Sequence, residues 1–363
     1  MAAISSERMP WWVWVWPGLG WVLLMVTTSA EVSGVLAGAV GAILIAVVFA
    51  AVYHAEVVAH RVGEPYGTLV LALAVTVIEV ALIVSIMLQG GADKAGLARD
   101  TVFAAVMIIC NGLVGLCLLA GGVRHHEQGF QLQGALAALA VLAALTTITL
   151  VLPNFATTIP GPTFSTSQLV FAGTASLVLY GSFVFVQTIR HRDYFLPAEG
   201  VADEETHAPP PSDRTALVSL GLLLASLIAV VGLAKALSPT LEAGVEQIGA
   251  PKAVVGILIA ALVLLPEGVA ALRAAHANRL QTSMNLALGS ALASIGLTIP
   301  AVVVVAIMLD QQLTLGLEPK EEVLLALTLL VGVITVGTGR TTVLQGIVHL
   351  VIFATFLFLS IVP

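Results

Sequence analysis

The sequence predicts an all-α polytopic membrane protein of about eleven transmembrane helices, an extra N-terminal helix followed by two inverted five-helix repeats. Three observations carry this. First, 59% of the 363 residues are hydrophobic, only 10% are charged, and mean hydropathy is +1.05, more apolar surface than a water-soluble core uses. Second, apolar runs recur at about the 20-residue length that crosses a bilayer core of about 30 Å. Third, Glu79 lies deep in LVLALAVTVIEVALIVSIML and Glu267 deep in AVVGILIAALVLLPEGVAAL, at corresponding places in the two halves. A charge at such depth costs on the order of 3 kcal/mol unless it meets a partner, water or a cation.

Taken in order, the runs predict helices over residues 11–29, 32–56, 66–89, 101–122, 133–152, 168–189, 215–237, 252–273, 284–309, 322–339 and 342–362. The first carries Trp11, Trp12, Trp14, Trp16 and Trp21. An apolar stretch ending in Thr28-Ser29-Ala30 has the look of a cleaved signal, but the tryptophans suit an interfacial belt on a retained helix better. Turn chemistry marks the breaks at Gly90-Gly91, Gly121-Gly122, Pro160-Gly161-Pro162, Gly249-Ala250-Pro251 and Pro319.

Four segments follow: the extra helix within 1–30, a first repeat over 31–190, a linker over 191–214 and a second repeat over 215–363. The linker, HRDYFLPAEGVADEETHAPPPSDR, has six acids and a triple proline, so it reads as a mobile cytoplasmic loop. Because each repeat has an odd number of helices, the two face opposite ways, and an ion site is expected near the midplane where they meet. With the N-terminus inside, nine basic residues are cytoplasmic (Arg8, Arg61, Arg124, Arg190, Arg192, Arg214, Arg273, Arg279, Arg340) and five are outside (Lys94, Arg99, Lys235, Lys252, Lys320). That bias puts the C-terminus on the periplasmic or exterior side of an inner membrane.

The formal charge of −7 gives no footing for nucleic acid. GxxxxGK[ST], HExxH and GxSxG are all absent, so nucleotide-driven pumping and the common hydrolytic chemistries have no residues to rest on. Cys110 and Cys117 share one apolar run, which is no disulfide framework and no metal motif. No cofactor is expected, and the partners are transported inorganic cations, protons and the lipid bilayer.

Thr76 shares the helical face of Glu79. Pro266 has no N–H, so the carbonyl of Leu262 loses its helical donor, and Gly268 adds freedom beside it. This predicts either a broken helix whose oxygens, with the Glu267 carboxylate, form hard ligands for Ca²⁺ or Na⁺, or a simple proline kink of the kind common in membrane helices. Asn111 is followed by Gly112 and Gly115, and its amide has four hydrogen-bonding positions to satisfy. Ser290, Ser294 and Thr298 line up hydroxyls four residues apart, a pattern that also serves plain helix packing. His54, Glu56, His60 and Glu64 sit near the cytoplasmic end of the second helix and the loop after it, as either a proton antenna or a solvated loop. His349 lies two turns inside the last helix, a candidate proton relay with Glu56.

The runs HAEVVAHRVGEPYGTLVLALAVTVIEVALIVSIM, LLPEGVAALRAAHANRLQTSMNLALGSALASIGLTIP and GRTTVLQGIVHL resemble the ChaA-type bacterial calcium/sodium–potassium:proton antiporters of the calcium:cation antiporter superfamily. The resemblance implies an eleven-helix exchanger of Ca²⁺, and in some members Na⁺ or K⁺, for H⁺. It makes Glu79 and Glu267 the shared cation and proton ligands and adds Asn111, Ser290 and Ser294 as polar positions. The chain departs from the calcium/proton pattern, which usually has Gly-Asn just before each repeat glutamate. Here those places read Val75 to Ile78 and Leu264 to Pro266, leaving fewer side-chain oxygens. The function expected is a secondary antiporter working by alternating access. The rival is a gated cation channel with an acidic pore.

Overall fold

Burying a backbone amide in hydrocarbon without a partner costs several kcal/mol, so apolar runs of this length fold as helices that satisfy their own backbone. The computed structural model describes residues 9–29, 32–63, 66–87, 95–196, 210–247, 249–251 and 253–362. Within them the chain forms α1 (Trp12–Thr27), α2 (Gly34–Val62), α3 (Tyr66–Met87), α4 (Leu97–His125), α5 (Leu132–Phe155) and α6 (Thr166–Arg190). After the linker come α7 (Asp213–Gln247), α8 (Ala253–His276), α9 (Leu280–Met308), α10 (Pro319–Val336) and α11 (Val343–Ile361). Eight of these are long and apolar enough to cross a membrane. Of the other three, α1 is short, the apolar part of α3 is Val70–Ser85, and α10 opens on Lys320, Glu321 and Glu322.

Several expected boundaries move. Helix α2 runs on past residue 56 to Val62, because its polar last turns contain no helix breaker, so His60 is helical rather than in the loop. Helix α7 continues to Gln247 through Pro239, which forfeits one backbone bond and no more. Gly121-Gly122 is not a turn. The helix continues to His125, and Gly122 lets Val343 approach so closely that a Cβ would lie 2.7 Å from its nitrogen. Helix α8 is continuous through Pro266, correcting the expected break. The start of the linker is also packed: Arg192–Tyr194 forms a 3-10 turn, and Phe195 is buried edge-on against Phe183. Gly90-Gly91, Glu64 and linker residues 197–209 lie outside the described residues.

The helices pack into two compact units, residues 1–89 with 202–255 and residues 90–201 with 256–363. The first holds α1, α2, α3 and α7. Trp21 of α1 donates its indole N–H to Ala225 O of α7, and Arg61 of α2 pairs with Asp213 at the start of α7. Pro17 inside α1 deprives the Val13 carbonyl of its helical donor, and the buried His54 supplies one from α2, with Nε2 at 3.0 Å from Val13 O.

The second unit holds α4, α5, α6, α8, α9, α10 and α11. At one end a two-residue strand β1 (Gln128–Gly129) pairs antiparallel with β2 (Arg340–Thr341). Beside them Gln128 Nε2 donates to Ala275 O, Arg124 meets His276 and Arg340 pairs with Glu127. At the other end Arg99 pairs with Asp100 and donates to Gly316 O, while Asn154 bonds Leu317 O and Glu322. One end thus gathers Arg124, Arg340 and His276, and the other Asp100, Glu318, Glu321 and Glu322 around Arg99.

Candidate cation site

In the first unit, α3 carries Glu79 thirteen residues past Tyr66, roughly 20 Å along the axis. Its side chain is only 2% exposed. Thr76, one turn earlier, is buried too, and its hydroxyl donates to Ala72 O at 2.8 Å. That bond uses the hydroxyl's one proton.

In the second unit, α8 carries Glu267 fourteen residues past Ala253, roughly 21 Å along its axis, with the side chain half-buried. Pro266 leaves the Leu262 carbonyl without its helical N–H even though the helix continues. A Cβ on Gly268 would lie 3.7 Å from Leu113, so α8 runs beside α4 at this level. The two glutamates therefore stand at matched depth along their own helices.

Asn111 stands midway along α4, and there the helix changes. Residues Ile108–Leu113 form a π-turn between two α segments, Leu97–Met107 and Val114–His125. Such bulges accommodate an extra residue in one turn and recur at functional sites. Asn111 is fully buried; its Nδ2 donates to Thr328 Oγ1 of α10 at 2.8 Å, and its Oδ1 lies 3.1 Å from Nδ1 of His349 on α11. The other ring nitrogen, Nε2, lies 3.0 Å from Thr335 Oγ1. Glycine makes this possible. A Cβ on Gly115 would lie 3.1 Å from that of His349, and one on Gly112 would lie 3.2 Å from the Phe353 ring.

The hydroxyl column of α9 is real but graded: Ser290 is half-buried, Ser294 is 3% exposed and Thr298 fully buried. Asn285 at the end of the same helix holds the Phe195 carbonyl, a structural bond. Among the predicted relay residues, His349 is in the second unit with Asn111, whereas Glu56 is a half-buried residue of α2 in the first. The antenna reading of His54 fails, because the ring is buried and spent on the Val13 carbonyl.

Sequence reasoning missed Thr328 and Thr335. They stand seven residues apart, two turns along one face of α10, and that spacing was the available signal. Together with Cys110, Leu139, Met284, Leu288 and His349 they line a cavity of about 20 Å³. Among the described residues, no three His, Cys, Asp or Glu side chains gather as a metal cluster.

Eleven helices among the described residues, eight of them long and apolar enough to cross a membrane, around a polar core at Asn111 define a multi-pass membrane protein. The chain belongs to the sodium/calcium exchanger protein family, which it matches over residues 32–189 and 218–362, and so to the calcium:cation antiporter superfamily. It is 53% identical over 364 residues to a putative ionic transporter of Sinorhizobium fredii, covering 99% of this chain and 98% of that protein. It is 39% identical over 311 residues to the sodium-potassium/proton antiporter ChaA of Escherichia coli, covering 85% and 84%. The fold is similar to that of native YfkE, with a TM-score of 0.75, 18% identity and coverage of 97% and 100%. It is also similar to the H⁺/Ca²⁺ exchanger CAX, with a TM-score of 0.72, 14% identity and coverage of 95% and 87%.

Proposed function

We propose that this protein is a secondary antiporter of the cytoplasmic (inner) membrane that exchanges Ca²⁺, Na⁺ or K⁺ for H⁺ by alternating access. The observation that carries it is the pair Glu79 and Glu267, each about 20 Å along a helix whose other residues at that level are apolar or small. Thr76, Asn111, Ser290 and Ser294 add oxygen ligands in this reading, with the Leu262 carbonyl beside Glu267. The relatives' names support the same class of cargo. The N-terminus faces the cytoplasm and the C-terminus the periplasm or exterior, which the clustering of Arg124 and Arg340 at one end of the second unit supports.

One set of carboxylates for two cargoes makes exchange obligatory. A cation needs them ionised and protons neutralise them, so the two cargoes compete, and apparent cation affinity weakens as pH falls through the pair's coupled titration. The test is flux in proteoliposomes with Ca²⁺, Na⁺ and K⁺ offered separately against a pH gradient. Cation-driven proton release is the expected result. Cation current without a proton gradient would instead mean a channel with an acidic pore and would end the antiporter reading.

A further inference from the structure

A hydroxyl buried in a membrane protein keeps a hydrogen bond wherever the fold offers one, because an unmade bond costs stability. On a helix an acceptor is always at hand, since the carbonyl four residues back has a second lone pair. The buried threonines of the second unit take it. Thr101, Thr146, Thr149 and Thr328 donate to the carbonyls of Leu97, Leu142, Leu145 and Leu324 at 2.7–2.8 Å. Thr298 of α9 does not. It is fully buried, and its Oγ1 has no hydrogen-bond partner among the described residues.

Its place on the helix gives this a direction. Ser294 is the midpoint of α9, fourteen residues from Leu280 and fourteen from Met308. Ser290 stands one turn toward Leu280 and Thr298 one turn toward Met308, so the three hydroxyls span roughly 12 Å of axis. The opposite face of α9 is packed against α6. A Cβ on Gly296 would lie 2.7 Å from that of Tyr180, and one on Gly173 would lie 3.6 Å from Pro300 Cα. Met284 and Leu288 instead line a cavity with Cys110 of α4 and Thr328 of α10. At about 100° per residue, Thr298 lies about 40° around the axis from Met284 and roughly 160° from Gly296. It is therefore on the side of α9 that faces α4, not α6.

We propose that Thr298 is a further cation ligand, the exterior-side step of the route whose middle is Ser294. The inference rests on the antiporter reading for the cargo and for which end is exterior. A hard metal cation that sheds hydration water needs oxygen lone pairs, and Thr298 Oγ1 has both of its own uncommitted. When the oxygen takes the cation, its proton turns to Ser294 O, the bond that the other buried threonines make to the same position of their helices. The loaded state thus satisfies the whole hydroxyl. A valine of nearly the same shape would fill this space without the unmade bond, so packing alone does not account for a hydroxyl here.

Two measurements test this. In right-side-out and everted membrane vesicles, the cation used is whichever of Ca²⁺, Na⁺ and K⁺ drives proton release by the wild type. Thr298→Val should weaken its apparent affinity by about fivefold or more at the exterior face, and by less than about twofold at the cytoplasmic face. Thr298→Ser should restore it. Wild-type affinity on both faces in well-inserted Thr298→Val overturns the proposal. An equal loss on both faces also overturns it, because Thr298 would then support the central site and not an exterior step. Thermal unfolding of the full chain needs no exchange. Because no partner is lost, Thr298→Val should unfold at the wild-type temperature or above it, and a clear drop would reveal a structural bond and overturn the proposal. The rise in unfolding temperature produced by a fixed concentration of CaCl₂, NaCl or KCl should shrink in Thr298→Val and return in Thr298→Ser. Equal protection of wild type and Thr298→Val, or protection by none of the three salts, overturns it. Absence of any coupled exchange in the wild type would end the antiporter reading, and the salt-dependent unfolding would still decide whether Thr298 holds a cation.

Discussion

His54 and His349 are both buried histidines on membrane helices, yet their surroundings suit them to different work. His54 donates Nε2–H to the Val13 carbonyl that Pro17 leaves open, and its Nδ1 has no hydrogen-bond partner among the described residues. Protonating Nδ1 would bury a second N–H with nothing to accept it, so this ring is suited to staying neutral and holding α1 against α2. His349 has a partner at each nitrogen, Asn111 Oδ1 at Nδ1 and Thr335 Oγ1 at Nε2. The lesson is that burial alone does not tell how a histidine ring is held. The polar atom on the far side of the ring does.

The contrast matters only if carboxylate-linked exchange is what the protein performs, and the largest effect tests that. Glu79→Gln or Glu267→Gln keeps the shape but removes a charge and a titratable proton, so each should reduce cation-driven proton release to background. Membrane insertion, followed in parallel, should be normal. Full exchange by either well-inserted variant would remove the shared site.

His54→Leu comes next. It leaves the Val13 carbonyl buried without a donor, a loss of roughly 1–3 kcal/mol, so thermal unfolding should shift down while the pH profile of exchange stays in place. A shifted profile would mean that the ring does more than hold α1 against α2. The sharper form is a double-mutant cycle. Pro17→Ala restores a helical N–H to the same carbonyl, so the double variant should recover part of the stability lost in His54→Leu. Strict additivity would mean that the ring does not serve the proline kink. Gly115→Ala acts on the other ring, placing a methyl 3.0 Å from Leu350 and 3.1 Å from the His349 Cβ. Overpacking of this kind costs roughly 1–3 kcal/mol, and exchange should slow several-fold in vesicle assays as His349 is displaced from Asn111.

The smallest effect is expected from the linker. Replacing residues 198–211 by Gly and Ser of equal length should leave exchange within about twofold, since their composition gives them little apolar surface to bury. Loss of insertion or of all exchange would refute this.

The number of helices was legible in the sequence because hydrocarbon imposes a length on each apolar run, and Glu79 and Glu267 stand out in it because charges are rare within such runs. Pro319 at the start of α10 and the Gly249 turn, with φ +70°, were legible for local reasons, a missing N–H in one case and a left-handed backbone in the other. The ends of α2 and α7 were not. Hydropathy marks where the apolar run stops, whereas a helix stops only where its hydrogen bonds do, and neither His60 nor Glu242 breaks them. Within the site, Asn111 was visible as a rare amide in an apolar run. Its partners were hidden because Thr328 and Thr335 look like any hydroxyls on a membrane helix until α10, α4 and α11 are brought together.

The π-turn at Ile108–Leu113 makes α4 a helix of two phases. Each residue advances an α-helix by about 100° and 1.5 Å. One residue fewer between Met107 and Val114 can be absorbed by closing the wide turn to an α-turn, which keeps the half ending at His125 in register with the half beginning at Leu97. This is therefore the stretch of α4 where a single-codon deletion would leave the span and its flanking faces nearly as they are while removing the wide turn that carries Asn111.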